Sequence, residues 1–522
     1  MPNRVTTDVI DSIKDMVFSI ATEYAKRLPN TRYCDIRVEV DEGKGAGAEN
    51  GNVKGSSEDY GFAFGVRVIA GRRATAAGYF GQLLGSQDLD NLPQVVREGV
   101  RHAHRRAVES ARRKEAAQGR FGALGRSLSD ATLAPIGIRQ ATIPATFVQD
   151  PRAVSLEKMV RTVTEISRQV AGLDSRLVYN AVAATSSLVR ELFCSSEGAS
   201  IDQSYAQSEG IAFVVARGEH GNLELYDFTG HQRGWEIMED GYRTGIMDLP
   251  DFTTFATKLA LDAVETAEAP PLDAPDKDVV VVMDPHYAAL VCHEVLGHPS
   301  ELDRALKYET AYAGRSWLFR TLQDNQIGKQ VGSPILNVFS DPSMDAYGHF
   351  MYDHEGTPAR RVYHVRNGVY EEFLNSRQTA AILGVEPNGS FRATDASVVP
   401  LIRMTNTVIA AGESDPQQMV RDVEHGYYVS GHRIPSVAES RENFRISAVK
   451  VYEIRNGELG QLYRNGSVMS DSRDFFMRID AAGTDFRVFP IPNCGKGQPM
   501  QAKRMGNGGP TIRSVARVVR GG

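Results

Sequence analysis

Residues 278–303 read DVVVVMDPHYAALVCHEVLGHPSELD. The apolar run from Val279 to Met283 predicts a buried strand. Asp284 suits a helix N-cap and Pro285 the first helical position. Tyr287, Val291 and Val295 then share one helical face. This strand and helix carry His293, Glu294 and His298, an HExxxH pattern. The bland reading is a core helix with surface histidines; the other is a metal motif.

The spacing discriminates. In HExxH, histidines four apart share a helical face. Here they are five apart, or about 140° around an ideal helix. Two distortions bring them together. A π-type turn aligns residues i and i+5. Alternatively the helix ends early, since Gly297 and Pro299 flank His298 and Pro299 has no amide hydrogen to donate to Val295. The sequence predicts a distorted helix end at 296–299. Two histidines leave a catalytic zinc one protein ligand short. The candidates are Glu301, another carboxylate, or a remote cysteine.

Around this segment the chain reads as α+β. After residue 276 it is mostly strand-like, with Asn367-Gly368 and Asn456-Gly457 placed as two-residue hairpin turns. Before it, residues 8–28 predict an amphipathic helix, and 33–80 alternate strand-like runs with Gly-rich turns. A long helix is expected over 89–117; its stretch 97–114 carries seven Arg or Lys against two Glu. Without interleaved aromatics this reads as a solvated face or an interface rather than a nucleic-acid surface. Residues 126–154 read as extended linker, Ser155 caps a helix to about 172, and strands follow through 217. The Pro-rich EAPPLDAP at 268–275 marks a boundary. The expected organisation is an N-terminal α/β domain (1–150), a middle domain (151–275), and a β-rich C-terminal domain (276–522) bearing the HExxxH helix.

Composition agrees. The 522 residues exceed one domain and suit two or three. With 42% apolar and 24% charged residues, a largely disordered chain is excluded. A net charge of −6 argues against a dedicated nucleic-acid binder. The opening MPNRVTTDVIDSIKD lacks the apolar core of a secretory signal, and no apolar run is long enough to span a bilayer, so a cytoplasmic location without membrane partners is expected. Four cysteines do not make a disulfide framework. Cys34 and Cys194 sit in strand-like runs and Cys292 faces the core, so all three read as packing residues. Cys494, in PIPNCGKGQP, reads as part of an exposed, shaped loop and as a ligand.

These residues resemble the TldD/PmbA family of zinc metallopeptidases, in its metal-bearing TldD-type form. The likeness extends beyond HEVLGH to YGFAFGVRV at 60–68, SSEG at 195–198, DHEGTPARR at 353–361, PLIRMTNT at 400–407 and CGKGQP at 494–499, in the expected order. The resemblance implies His293, His298 and Cys494 as zinc ligands and Glu294 as the catalytic glutamate. It implies substrates that are small, unfolded or leader peptides. It also implies a dimer, either with a related TldE/PmbA-type chain or with a second copy. Two departures stand out: a single Gly497 between Lys496 and Gln498, and a stretch GYYVSGHRIPSVAES at 426–440 without a Gly-rich loop.

Other polar residues have expected roles. Arg403 and Asn406 are candidates to hold a peptide backbone or terminus. Glu301, Asp353 and Glu355 are candidates to orient a ligand by accepting its hydrogen bond. The glycines of GNGG at 506–509 lack the Gly-Lys-Ser/Thr continuation of a phosphate loop. The functional expectation is a zinc peptidase; the alternative is a non-catalytic peptide-binding or scaffold subunit with a structural metal.

Overall fold

The computed structural model describes residues 4–121, 130–273 and 277–521. The start of the expected linker (126–129) and the expected boundary at 275/276 lie outside the described residues. The fold is mixed α+β with a β-rich C-terminal region.

The first sheet is built on two 19-residue strands, β1 (Thr31–Glu49) and β2 (Asn52–Ala70). They are joined at Asn50-Gly51, both at positive φ, the backbone that a two-residue turn demands. Next come β3 (Ala76–Leu83), β4 (Gln140–Ile143), β5 (Leu177–Ser195), β6 (Ser200–Gly218) and β7 (Gly221–His231). The order is β3-β2-β1-β5-β6, with β4 and β7 both on the far side of β6. The sheet therefore crosses the expected boundary at residue 150, and the expected linker contributes β4.

Helices cover this sheet in two groups. α1 (Val9–Ser19) and α2 (Leu92–Phe121) pack over Ile36, Val38, Phe64 and Val66. α3 (Leu156–Leu173) and α4 (Phe252–Glu268) pack over Val182, Ala184, Val214 and Leu225. Ser155 caps α3 as its sequence implies, its hydroxyl accepting from the Lys158 amide at 3.1 Å.

The C-terminal part opens with β8 (Asp278–Met283) and α5 (Pro285–Cys292). Asp284 caps α5, accepting from the Tyr287 amide at 2.7 Å. Two larger sheets then share this region, beside a short pair formed by Phe391–Arg392 and Leu401–Ile402. One contains β8, β13 (His425–Val437), β14 (Asn443–Arg455), β16 (Gly466–Asp471) and β20 (Ile512–Arg520). Because β8 pairs with both β13 and β20, its hydrogen bonding closes into a ring. β15 (Glu458–Tyr463) and β17 (Ala481–Ala482) attach to the ring. The other sheet has six strands: β9 (Val338–Ser340), β10 (Val362–Arg366), β11 (Val369–Tyr370), β12 (Asn406–Ile409), β18 (Arg487–Lys496) and β19 (Gln501–Gly509), in the order β11-β10-β9-β12-β19-β18. Both expected Asn-Gly turns join antiparallel strands, with both turn residues at positive φ.

A buried ionic cluster ties the two parts together. Arg67 on β2 donates to Asp35 at 2.6 and 2.8 Å and to Glu355 at 2.6 Å. Arg377 reaches back to Glu197 at 2.7 Å. Cys34, Cys194 and Cys292 are buried free thiols, in keeping with packing roles. Among the described residues, no helix is long and apolar enough to cross a membrane.

Candidate metal centre

Tyr287, Val291 and Val295 are fully buried and fix the rotation of α5. The helix then changes pitch. His293–Gly297 form a π-helical turn and His298–Ser300 a 3₁₀ turn. The distortion begins three residues earlier than the sequence suggests. Its consequence is that the rings of His293 and His298, five residues apart, stand 4.7 Å apart. Gly297 is required here, because a Cβ would lie 2.1 Å from Met404 Sδ.

Cys494 arrives from β18. It is 6% exposed and lies in a strand, not in an exposed loop as its Pro/Gly context suggests. The pairing of β18 with β19 slips between Ile491 and Cys494, a bulge of the kind that re-aims a side chain. Gly497, at φ +86°, makes the tight turn between the two strands. Cys494 Sγ lies 3.3 Å from His293 Nε2 and 3.6 Å from His298 Nε2.

This spacing fits a metal ion. Tetrahedral zinc, with nitrogen ligands at about 2.0–2.1 Å and sulfur at about 2.3 Å, sets S and N about 3.5 Å apart. Among the described residues, this is the one group of three His, Cys, Asp or Glu side chains whose ligand atoms converge within 4.8 Å. The other ring nitrogens are engaged. His293 Nδ1 lies 2.9 Å from Asn507 Oδ1, and His298 Nδ1 lies 3.0 Å from Glu301 Oε2. Each Nδ1–H donates to that acceptor, leaving the Nε2 lone pairs turned towards Cys494.

Charge reinforces the geometry. Burial pushes the Cys494 thiol up, but the two imidazoles outweigh it and hold the thiol well below its ordinary value. Burial pulls the His293 imidazole down, yet Cys494 and Glu294 raise it to about 9. Thiolate and neutral imidazole are the ligating forms, so a divalent cation bound here would replace the proton that the pair shares.

Glu294 borders the same cavity of about 380 Å³ as His293, His298 and Cys494. Its carboxylate pairs with Arg441, whose Nη1 also donates to the Glu294 carbonyl at 2.9 Å. Burial raises the Glu294 carboxyl, but Arg441 and the two imidazoles bring it down to about 2.

The remaining candidates divide. Glu301 is completely buried; its Oε2 also accepts from Arg304 at 2.9 Å and forms an ion pair with Lys496 at 3.1 Å. Asp353 and Glu355 lie elsewhere. Asp353 accepts from the amides of Glu355, Thr357 and Phe391, and Glu355 meets Arg67 and the Arg377 amide. Arg403 and Asn406 are fully buried and do not border the cavity. Arg403 donates to the carbonyls of Cys494 and Gln501, and so holds the β18–β19 hairpin. Asn406 bonds Asp341, Met344 and Gly348.

Sequence reasoning missed Asn507, Arg441 and Lys496. Asn507 lies inside GNGG, whose glycines serve close packing: a Cβ on Gly506 would meet Asn406 Oδ1 at 2.4 Å. Arg441, at φ +61°, left no signal in the sequence.

Comparison with known proteins places the chain among metallopeptidases. The model of the PmbA/TldA metallopeptidase C-terminal domain matches residues 276–519, and that of PmbA/TldA metallopeptidase domain 1 matches 34–111. A metalloprotease of Methanocaldococcus jannaschii is 27% identical over 374 residues, 71% of this chain and 75% of its own length. A zinc metalloprotease TldD homolog of Saccharolobus solfataricus is 25% identical over 68% of this chain and 74% of its own. The crystal structure of TldE from Thermococcus kodakarensis shares the fold, with a TM-score of 0.68 at 16% identity, over 98% of this chain and 100% of that one.

Proposed function

The chain belongs to the PmbA/TldD family of metallopeptidases, and from that premise we propose that it is a zinc-dependent peptidase acting on small, unfolded or leader peptides. His293, His298 and Cys494 hold the metal and Glu294 is the catalytic base. The observation that carries this reading is the 3.3 and 3.6 Å spacing of Cys494 Sγ from the two Nε2 atoms, with both Nδ1 atoms engaged elsewhere.

Zinc, when bound, supplies a Lewis acid that polarises the scissile carbonyl and acidifies water. The chain's own groups do the rest. Glu294 accepts a proton from the attacking water at its carboxylate and passes it to the leaving amine nitrogen. Arg441 keeps that carboxylate ionised and fixed beside the cavity. Asn507 and Glu301 orient the two imidazoles. β7 and β18 are sheet-edge strands that border the cavity through Asp227, Phe228, Ile491 and Asn493. An extended peptide can add to such an edge through main-chain hydrogen bonds, which suits unstructured substrates. A dimer with a TldE/PmbA-type chain, or with a second copy, belongs to the same reading; the likeness to T. kodakarensis TldE supports it.

The test is purification without added metal, zinc analysis, and cleavage of unstructured peptides with and without a candidate partner chain. Glu294→Gln is expected to keep zinc and lose about 10²- to 10⁴-fold in rate. A Gln variant as fast as wild type removes Glu294 from the reaction. Unchanged zinc content in Cys494→Ala removes Cys494 from the ligands. Zinc that is retained by a wild-type chain inactive on every peptide favours a scaffold subunit with a structural metal.

A further inference from the structure

The metal cavity is bordered by one cationic side chain, Arg433, that the proposed chemistry leaves unused. Arg433 borders the cavity beside His432. It lies in β13, where the pairing with β14 slips between His432 and Pro435. Gly431, at φ +66°, precedes it, and its amide is held by Asp284 Oδ2 at 3.1 Å. A bulge at this point re-aims the Arg433 side chain out of the regular strand alternation. This is the stretch, GYYVSGHRIPS, that departs from a Gly-rich loop.

The guanidinium has no ion-pair partner within 4.0 Å among the described residues; Glu224 on β7 acts on it only from beyond that distance, and burial outweighs it. Among the described residues, no hydrogen bond engages the Arg433 side chain, whereas Arg441, the other arginine that borders the cavity, is paired with Glu294. Asp227, on the same cavity, has His286 Nε2 as its neighbour at 4.0 Å. Arg464 does not border the cavity and is engaged by the Gly221, Asn222 and Ala267 carbonyls, so Arg433 is the cation that the cavity wall leaves open. A half-buried, unpaired guanidinium on the wall of a peptidase cavity has the shape and charge to take a carboxylate through two parallel N–H donors.

We propose that Arg433 is a specificity-determining residue that receives a carboxylate of the substrate, either the peptide's free C-terminus or an Asp or Glu side chain. This inference rests on the peptidase reading of the cavity. It makes this chain selective for substrates carrying a negative group a short distance from the scissile bond.

The experiment uses the full-length, zinc-loaded chain with any partner needed for cleavage. Three peptides of one core sequence are compared: a free C-terminal acid, its C-terminal amide, and an amide carrying one internal Glu. The wild type is expected to favour at least one carboxylate-bearing peptide over the plain amide by about 10- to 100-fold in KM. Arg433→Met is expected to abolish that preference while kcat changes less than about threefold, and Arg433→Lys to restore part of it. Preference for the free acid identifies the terminus as the ligand; preference for the internal Glu identifies a side chain. Equal use of all three peptides by wild type, or a preference unchanged in Arg433→Met, overturns the proposal. Binding of the same peptides to Glu294→Gln, followed by fluorescence anisotropy, separates the two levels. Discriminating binding without wild-type cleavage sinks the peptidase reading and leaves the receptor standing. Cleavage without discrimination does the reverse.

Discussion

Glu301 Oε2 stands 3.0 Å from His298 Nδ1, accepts from Arg304 and forms an ion pair with Lys496. One oxygen thereby joins a candidate ligand to two buried cations. Burial raises the Glu301 carboxyl, but Lys496, His298 and Arg304 outweigh it and hold it well below its ordinary range. Glu301→Gln keeps the shape but removes the charge. It is expected to weaken zinc retention by about 10- to 100-fold, read by competition with a chelator. Unchanged affinity would mean that the carboxylate does not tune His298.

Gly297 sits at the end of the π turn, with no room for a methyl group against Met404. Gly297→Ala is expected to cost about 1–3 kcal/mol, seen as a lower denaturation midpoint. Zinc content is expected to fall with it, because the same turn sets His293 against His298. Full zinc content at reduced stability would separate the two effects.

Arg67 neutralises two buried carboxylates, Asp35 and Glu355, on opposite sides of the junction between the first sheet and the C-terminal part. Arg67→Met is expected to destabilise by about 3–5 kcal/mol, since both charges lose their partner. Adding Glu355→Gln to that variant is expected to recover part of the loss in urea unfolding. No recovery would place the damage in packing rather than in charge.

His364 is fully buried, its Nδ1–H donating to the Glu372 carbonyl at 3.0 Å and its Nε2 accepting from Ser340 at 2.8 Å. Burial holds its imidazole down to about 4, and His231 likewise to about 4. The unfolded value is about 6.5, so the unfolded chain binds more protons between pH 6.5 and 4. Stability supplied by neutral His364 is therefore present above pH 6.5 and is lost as the pH falls through that window. His364→Gln is expected to flatten the decline of melting temperature over that range relative to wild type. Asp41, raised to about 6 by burial, works in the opposite sense and is common to both proteins. Parallel curves would show that His364 does not contribute.

Local patterns of the chain were readable because they depend on neighbours in sequence. Asp284-Pro285 starts α5, Ser155 starts α3, and Asn-Gly at 367 and 456 turns two hairpins, each through its own backbone conformation. The five-residue interval between His293 and His298 likewise forced a distorted helix end. Where the sequence put Cys494 in an exposed loop, the structure buries it in a strand, because the cover comes from β19 and from α5, some 200 residues earlier. The long sheet could not be read as one unit for the same reason: β1 pairs with β5 across about 150 residues. Arg403 and Asn406 looked like ligand-binding groups because polar residues in a strand give no sign of which carbonyls they will meet. The sequence by itself determined the α+β class, the helix with its two histidines, and the residue types able to hold a metal. Tertiary structure decided which distant partners complete the centre: Cys494 and Asn507 from one hairpin, Arg441 against Glu294, and Arg433 across the cavity. Pitch and turn chemistry act over a few residues, whereas convergence of side chains depends on how sheets pack, and no local pattern encodes that.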